Sequence, residues 1–178
     1  DDGDDVMTAP LLDHIVFNVR FAMDEAAAQF GDTGFSLTER GFHTLGSINH
    51  LMILDTNYLE LIGLPDSNAN RPEIADAAAG LNGLVFKTAD VDQTYAHLES
   101  LGWAGDPPKA FSRPLSIGGK QVDATFRTVA VRSDVFPAGR VYFCEHGTPQ
   151  YVWRDEWRDH ANRAVSACSF LIVAEDTA

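Results

Sequence analysis

GSINHLMILDTNYLELIGLP, from Gly46 to Pro65, predicts two paired β-strands. The apolar runs Asn49 to Leu54 and Tyr58 to Leu64 are joined by Asp55-Thr56-Asn57, whose residue types favour a turn. We therefore expect a hairpin at this point, around which the rest of the chain can be arranged.

The second strand of this hairpin carries one charged residue. Because side chains alternate along a strand, Glu60 shares a face with Tyr58 and Ile62. A carboxylate without a partner on an apolar face costs free energy. We expect the partner to be His14, which interrupts the apolar run Leu12 to Val19 near the start of the chain.

The composition limits the classes of partner. The 178 residues include 13 Lys and Arg against 26 Asp and Glu, a formal charge of −13, so nucleic acid and anionic membranes would be repelled. There is no basic-then-apolar leader and no apolar run of membrane-spanning length. Cys144 and Cys168 have no CxxC spacing, so we expect no disulfide framework and a cytoplasmic location. We expect residues 1–10 to be a disordered tail or a cloning remnant.

The order of predicted elements in the first part of the chain is strand, helix, strand, strand, strand. The opening strand is followed by a helix from Met23 to Phe30, where apolar residues recur at helical spacing. Phe35 to Thr38 is predicted as a short second strand, and the hairpin supplies the third and fourth. These elements make up a first βαβββ module, at residues 11–79.

The same order recurs in the second half of the chain. The segment Leu81 to Trp103 can be laid on the segment Leu12 to Phe35, which indicates an internal repeat. Three predicted strands follow it: Ala110 to Ile117, Gln121 to Arg132 and Arg140 to Glu145. The sequence therefore predicts an α+β fold with a second βαβββ module at residues 80–150.

The last part of the chain, residues 151–178, does not fit either module. Tyr151 to Arg163 is amphipathic and is predicted as a helix or loop. Ser166 to Ala178 is similar to a strand entering a turn, so we interpret it as the start of a third repeat that is cut off. An apolar strand of this kind must pair, and we expect it to add to a sheet edge.

Four motifs resemble the vicinal oxygen chelate superfamily, and in particular its glyoxalase-like domain branch, which includes glyoxalases, bleomycin resistance proteins and dioxygenases. They are LDHIVF (Leu12 to Phe17), LGSINHL (Leu45 to Leu51), YLELIG (Tyr58 to Gly63) and FCEHGTPQYVWRDEW (Phe143 to Trp157). The resemblance implies two modules whose sheets curl together around a cavity. It also implies a divalent metal, held by residues on the opening and closing strands of both modules, and a homodimer.

The first module matches the metal ligands of the superfamily and the second departs from them. His14 lies on the first opening strand and Glu60 on the first closing strand. On the second opening strand Gly83 or Leu84 stands where a histidine is expected, and the closing strand offers Glu145 and His146. Strand parity does not decide between those two. We select His146, because a neutral imidazole can replace the missing one.

The other candidate residues would contact a substrate. Tyr58 shares the face of Glu60, and His50 lies on the neighbouring strand of the hairpin. Arg127 could bind a substrate carboxylate with both of its guanidinium nitrogens, or it could pair with Asp123 across the sheet. His43, His97 and His160 are expected to face solvent.

Two functions follow from the resemblance. Two histidines and a carboxylate, at His14, Glu60 and His146, suit Fe, Mn, Ni or Zn with open positions for a substrate. The metal would acidify a proton beside a chelated carbonyl and Glu60 would move it, as in a glyoxalase-like lyase or isomerase, while an iron site could bind O2, as in a dioxygenase. The alternative is a non-catalytic protein of the same fold that sequesters a small molecule without metal, in which His14 and Glu60 form a buried hydrogen-bonded pair.

Overall fold

The computed structural model of the chain describes residues 10–67 and 70–171. Its strands and α-helices follow the predicted order of two strand-helix-strand-strand-strand units, so the α+β fold prediction is confirmed. The strands are β1 (Leu12–Arg20), β2 (Gly41–Phe42), β3 (Ile48–Ile53), β4 (Tyr58–Gly63), β5 (Gly80–Lys87), β6 (Lys109–Ile117), β7 (Lys120–Ala130) and β8 (Arg140–His146). The α-helices are α1 (Met23–Asp32), α2 (Pro72–Ala75) and α3 (Val91–Ser100).

All eight strands belong to one sheet, in the order β2-β3-β4-β1-β5-β8-β7-β6. Each half has the same internal arrangement, because its opening strand pairs in parallel with its own last strand: β1 with β4, and β5 with β8. The two halves join where β1 and β5 pair antiparallel in the middle of the sheet. The repeat that the sequence predicts is therefore present as two equivalent half-sheets.

The two outer strands of the sheet meet and close it within a single chain. Just after β2, the backbone N–H of Thr44 donates to the carbonyl of Ser112 on β6 at 3.0 Å. In return, the N–H of Ser112 donates to the Thr44 hydroxyl at 3.1 Å. The sheet is therefore curled into a nearly closed wall, and it surrounds a cavity without a second subunit.

Alternation along the strands sorts the apolar side chains onto the two faces of the sheet. The helices cover the outer face: α1 packs on the first half and α3 on the second. Inside the curl, buried side chains from both halves form one continuous core: Val16, Leu51, Ile53, Tyr58, Ile62, Val85, Ala124, Phe126 and Cys144. This core holds the strands that carry the polar side chains described below.

The structure corrects the predicted second strand. Residues Phe35 to Thr38 form no strand: Phe35 N–H donates back to the end of α1 and Ser36 N–H donates to the His160 ring, although Thr38 N–H does reach the Leu51 carbonyl on β3. The short strand is instead Gly41–Phe42, which pairs with β3. The ring of His160 is buried and also contacts the Ile53 carbonyl, so the solvent-facing position expected for it is wrong.

The C-terminal part of the chain begins against the second half of the sheet, where Trp153 contacts His146, and its later residues run along the first half. The amphipathic segment contains two 3₁₀ turns, Pro149–Tyr151 and Asp155–Trp157, rather than an α-helix. Residues 164–171 have no regular secondary structure, but Ala167 exchanges two hydrogen bonds of 3.0 Å with the Asn57 side chain. Residues 172–178 of the predicted added strand, and residues 1–9 of the predicted tail, lie outside the described residues. No helix in residues 10–67 and 70–171 is long and apolar enough to cross a membrane.

Candidate active site

The concave side of the sheet surrounds a cavity of about 820 Å³. Its walls mix apolar side chains such as Leu51, Phe111 and Phe126 with buried polar ones. The polar side chains at its inner end are His14, His43, Asn49, Glu60 and Arg113. Polar groups that converge in an otherwise apolar cavity are typical of a small-molecule site.

The predicted pairing of His14 with Glu60 is present at the inner end of this cavity. The two side chains are almost fully buried, and His14 Nε2 lies 3.4 Å from Glu60 Oε2. They meet because β1 and β4 are parallel neighbours, with His14 opposite Tyr58 and Val16 opposite Glu60. The Tyr58 ring stacks on the His14 ring at 4.3 Å and fixes its plane.

A β-bulge brings a second carboxylate to His14. Between Leu12 and His14 the pairing of β1 with β5 slips by one residue, so Asp13 is the extra residue on β1. Such a bulge redirects a side chain, and Asp13 Oδ2 lies 2.6 Å from His14 Nδ1. Burial favours the neutral imidazole, but the hydrogen bonds to Asp13 and Glu60 outweigh it and raise the pKa of His14. The surroundings of His14 therefore favour the imidazolium form, with a carboxylate near each ring nitrogen.

Glu60 stays ionised although it is buried. Burial would raise its pKa, but the bonded and charged His14, the nearby His43 and the Asn49 amide together lower the pKa to about 2. The Asn49 Nδ2 group donates to Glu60 Oε1 at 2.7 Å, so both carboxylate oxygens have a partner. The site therefore contains a fixed carboxylate beside a fixed cation.

Asn49 also connects this pair to the opposite wall. Its Oδ1 atom accepts from Arg113 Nε at 3.1 Å, and its Nδ2 group lies 3.2 Å from His43 Nε2. The pKa of His43 is lowered by burial to about 4, which keeps the ring neutral. His43 is thus a buried cavity residue, and the solvent-facing position expected for it is wrong.

His146 does not contact the His14 and Glu60 pair directly. Its Nε2 atom lies 3.0 Å from Asp13 Oδ2, so it reaches His14 only through that carboxylate. Among the described residues, the three side chains whose ligand atoms lie within 4.8 Å of one another are Asp13, Cys144 and His146. These three could hold a metal ion, and this set differs from the predicted set of His14, Glu60 and His146.

Sequence and structure comparisons agree with this architecture. The sequence model of the glyoxalase-like domain matches residues 12–178, which is nearly the whole chain. The chain belongs to the glyoxalase-like domain family. A search of curated proteins found no match.

Solved structures similar to this glyoxalase-like chain share its fold at low sequence identity. A hypothetical protein from Staphylococcus aureus has a TM-score of 0.62 at 17% identity, over 78% of this chain and 60% of that one. A variant of methylmalonyl-CoA epimerase from Streptomyces coelicolor, in complex with 2-nitronate-propionyl-CoA, has a TM-score of 0.60 at 18% identity, over 79% and 99%. The methylmalonyl-CoA epimerase of Mycobacterium tuberculosis has a TM-score of 0.57 at 17% identity, over 83% and 97%. The chain thus spans about 60% of the length of the staphylococcal protein.

The strand register shows which residues occupy the positions at which the glyoxalase-like family would hold a metal. In the first half, His14 and Glu60 occupy the expected ligand positions, with Glu60 opposite Val16. In the second half, Gly83 matches His14 and Tyr142, opposite Val85, matches Glu60. Glycine offers no ligand, and burial raises the pKa of the Tyr142 phenol, which disfavours its ionised form. Two of the four positions therefore do not fit a metal.

Two of the predicted substrate residues lie outside the glyoxalase-like cavity. Arg127 is on the outer face of β7, where its guanidinium binds both oxygens of Asp92 on α3 at 2.8 and 2.9 Å. Arg127 therefore pairs with Asp92, and not with Asp123 as in the alternative that the sequence left open. His50 also points outward, and its ring contacts the Thr38 carbonyl and Arg40. Tyr58, in contrast, lies in the cavity against His14.

Sequence reasoning missed Asp13, Asn49 and Arg113, although a signal existed for each. Asp13 is a second polar residue within the apolar β1, but strand alternation assigns it to the face opposite His14, and the bulge reverses that assignment. Asn49 shares the inner face of β3 with Leu51. Arg113 alternates with apolar residues on β6, so its position inside the curl was visible in the sequence pattern.

Proposed function

We propose that this protein is an enzyme of the glyoxalase-like type that moves a proton at a carbon beside a carbonyl group of a small oxygenated substrate. That reaction belongs to the lyase and isomerase class. The observation that carries the proposal is the pair of buried side chains at the cavity wall, with His14 Nε2 3.4 Å from Glu60 Oε2. A carboxylate can take the proton while the imidazolium stabilises the oxyanion that forms.

The distance between the two groups supports this use. At 3.4 Å, the contact from His14 Nε2 to Glu60 Oε2 is longer than an ordinary hydrogen bond. A substrate carbonyl oxygen could therefore accept the Nε2–H in place of Glu60. Because the contact with His14 contributes to the low pKa of Glu60, weakening this contact raises that pKa and makes the carboxylate a stronger base.

Two neighbours would position the reacting groups. Asp13 accepts the other ring N–H of His14 and so holds the imidazolium in its plane and protonation state. Asn49 binds one oxygen of Glu60 at 2.7 Å and leaves the other directed at His14. A substrate would place its carbonyl oxygen at His14 Nε2 and the neighbouring carbon acid at Glu60.

We assign no step to a metal, because Gly83 and Tyr142 occupy two of the positions at which the family places its ligands. The Fe, Mn, Ni or Zn ion that the sequence resemblance implies stays a prediction, as do the homodimer and the cytoplasmic location. Elemental analysis of the purified protein and of its His14→Ala and His146→Ala variants checks the metal. An equivalent of metal that only His146→Ala removes would place the ion at Asp13, Cys144 and His146.

Hydrogen-deuterium exchange at carbon tests the proton transfer. The protein is incubated in D2O with pyruvate, methylmalonate or methylmalonyl-CoA, the last being a ligand in the crystal structure of one structural neighbour. We expect at least one of these carbon acids to lose its C–H signal in proton NMR. Glu60→Gln should slow that exchange by at least about 100-fold, the usual contribution of a general base.

The matched control is Glu25→Gln, which removes a carboxylate that is exposed on α1. It should exchange at the wild-type rate. Equal exchange by wild type and Glu60→Gln, or no exchange with any of the three compounds, contradicts the proposal.

The second candidate is a non-catalytic protein that binds a small molecule in the same cavity. It is favoured by one observation: both oxygens of Glu60 already have partners, and a carboxylate with a pKa of about 2 is a weak base. A binding protein should retain affinity for a ligand in the Glu60→Gln variant and should catalyse no exchange at carbon.

A further inference from the structure

The cavity contains a buried arginine whose hydrogen bonds all go to neutral groups. Arg113 is 3% exposed. Its Nε donates to Asn49 Oδ1 at 3.1 Å, and its Nη2 donates to the Glu39 carbonyl at 3.0 Å and to the Thr38 hydroxyl at 3.3 Å. Within the described residues, no carboxylate forms an ion pair with Arg113, so its charge is compensated at longer range, chiefly by Glu60 and less by Glu39.

One nitrogen of this guanidinium is left over. Among the described residues, Arg113 Nη1 is buried and has no hydrogen-bond partner. A buried N–H of a charged group without a partner is costly, so such a group usually has a ligand or an ordered water as its complement. Burial also lowers the pKa of Arg113, and a nearby anion would oppose that effect.

The backbone is shaped to hold the guanidinium in this place. Gly41 on β2 lies so close that a Cβ atom there would come within 1.9 Å of Arg113 Nε and 2.3 Å of Asn49 Oδ1. Only glycine leaves room for the side chain at this contact. The position of Arg113 thus depends on three strands, β2, β3 and β6.

A second arginine with a free nitrogen lines the same cavity. Arg140 on β8 donates through Nε to Asn82 Oδ1 at 3.0 Å and lies over the Tyr142 ring. Its Nη2 is buried and has no partner in the described part of the chain. Two arginines that line the cavity, on β6 and on β8, therefore each keep a buried nitrogen that no described group accepts from.

Most other charged side chains at the cavity wall form ion pairs with one another. Three basic side chains at its wall each pair with an acidic neighbour: Arg71 with Glu73, Lys109 with Asp106, and Arg132 with Asp134. Without these pairs, the charged groups at the cavity are the cations Arg113, Arg140 and His14, the anion Glu60, and the Asp13 carboxylate that is bonded to His14 behind the wall. The lining is positive overall, in a chain whose formal charge is −13.

We propose that the ligand of this cavity is a small organic anion whose carboxylate binds Arg113 through Nη1, with a further oxygen of the ligand at Arg140. A guanidinium N–H makes a charge-assisted hydrogen bond to a carboxylate, and burial strengthens that contact. This inference rests on the proposed function, because it names the substrate class of the same site. The carboxylate at Arg113 would hold the substrate beside Glu60, since Asn49 joins both residues.

Calorimetric titration with two matched pairs of probes tests this inference. The probes are pyruvate with its neutral methyl ester, and malonate with its neutral dimethyl ester. We expect at least one of the two acids to bind at least tenfold more tightly than its ester. Arg113→Gln should lower the affinity for that acid at least tenfold, and Arg140→Gln should lower it by a smaller factor.

Two further variants separate a binding role of Arg113 from a structural one. Gly41→Ala keeps the arginine but displaces its guanidinium, so it should also weaken binding of the acid. Arg127→Gln removes an exposed arginine on the outer face of the sheet and should leave the affinity unchanged. Circular dichroism and thermal unfolding check that each variant is folded.

The outcomes distinguish this inference from the proposed proton transfer. Glu60→Gln should still bind the acid, since it leaves Arg113 in place and removes a negative charge. Acid binding that depends on Arg113 without any exchange at carbon would support the anion site and contradict the enzyme. Equal binding of acid and ester, binding of neither, or binding unaffected by Arg113→Gln would overturn the anion site, whatever the exchange experiment gives.

Discussion

The two halves of the sheet have the same strand order but carry different side chains at matching positions. In the first half, the register of β1 with β4 places His14 and Glu60 on the cavity face. In the second half, the register of β5 with β8 places Gly83 and Tyr142 at the equivalent points. The repeated backbone fixes the shape of the cavity, and single residues decide which chemistry each half contributes.

The second half supplies cations instead of acid-base groups. Arg113 and Arg140 both belong to it, and each has a buried nitrogen with no hydrogen-bond partner in the part of the chain that the structure describes. The first half supplies the carboxylates Asp13 and Glu60 on either side of His14, and Asn49, which donates a hydrogen bond to Glu60. We infer that both half-sheets contribute to one site. The first half provides the reacting groups, and the second half provides the arginines that bind the ligand.

The largest difference between the two halves is expected when the matching residues Glu60 and Tyr142 are replaced by apolar residues. Glu60→Leu leaves the His14 imidazolium and Arg113 buried beside an apolar group, so we expect a loss of about 3–5 kcal/mol in the free energy of unfolding. Tyr142→Phe removes only a hydroxyl at the equivalent position and should cost less than about 1 kcal/mol. Urea unfolding measures both. Equal losses would show that the two positions are energetically alike.

Acid should destabilise the first half through His43. Burial lowers the pKa of this ring from 6.5 to about 4. Between these pH values the unfolded chain binds a proton at His43 and the folded chain does not. The free energy of unfolding should therefore fall as the pH drops from about 6.5 to about 4, by at most about 3 kcal/mol. Unfolding measured across this range checks the fall.

His14 and Glu60 change the free energy of unfolding mainly above and below this pH range. The raised pKa of His14 contributes stability that is complete below pH 6.5 and is lost as the pH rises through the folded value. The lowered pKa of Glu60 contributes stability above pH 4.5 that is lost as the pH falls toward 2. His43→Phe should flatten the curve between pH 6.5 and 4, while His97→Gln, on the exposed side of α3, should follow the wild-type curve. A slope that His43→Phe leaves intact would contradict this assignment.

A carboxylate at position 142 should make the two halves more alike. The Tyr142 ring lies close to the His14 ring, at 6.0 Å between centroids, so Tyr142→Glu adds a ligand beside His14 and Glu60. We expect this variant to bind Co(II) at least tenfold more tightly than the wild type does. Adding His14→Ala should cancel the gain. If it does not, the metal lies elsewhere, for instance at Asp13, Cys144 and His146.

Arg127 should give the smallest effect. Its partner Asp92 is exposed, and ion pairs at the surface contribute little to stability. Arg127→Gln should change neither the midpoint of thermal unfolding nor the affinity for a carboxylate probe beyond experimental error. A clear loss of affinity would restore the substrate role that the sequence predicted for it.

The hairpin and the pairing of His14 with Glu60 could be predicted because both depend on short-range patterns. The alternation around Glu60 and the turn residues before Tyr58 fix that strand locally, and β4 ends at Gly63, within a residue of the prediction. The short second strand could not be predicted in this way. Gly41 lies there because Arg113 needs space, and that contact joins residues far apart in the sequence.

A comparison of Arg127 with Arg113 shows what can and cannot be predicted from a strand pattern. Arg127 shares a strand face with Asp123 and Thr125, which is typical of an outer face, and the structure places it there. Arg113 interrupts an apolar face on β6, which favours a buried position. The pattern separates the two faces of each strand, but which charges meet inside the curl depends on how both halves close.

The contact between Thr44 and Ser112 has a consequence for how the protein folds. It links residues 68 positions apart, and the contact of Arg113 with Thr38 spans 75. Such long-range contacts form late, because the chain must first order the segments between them. We therefore expect each half-sheet to assemble before the seam between β2 and β6, and the anchoring arginine to reach Asn49 only in that final step.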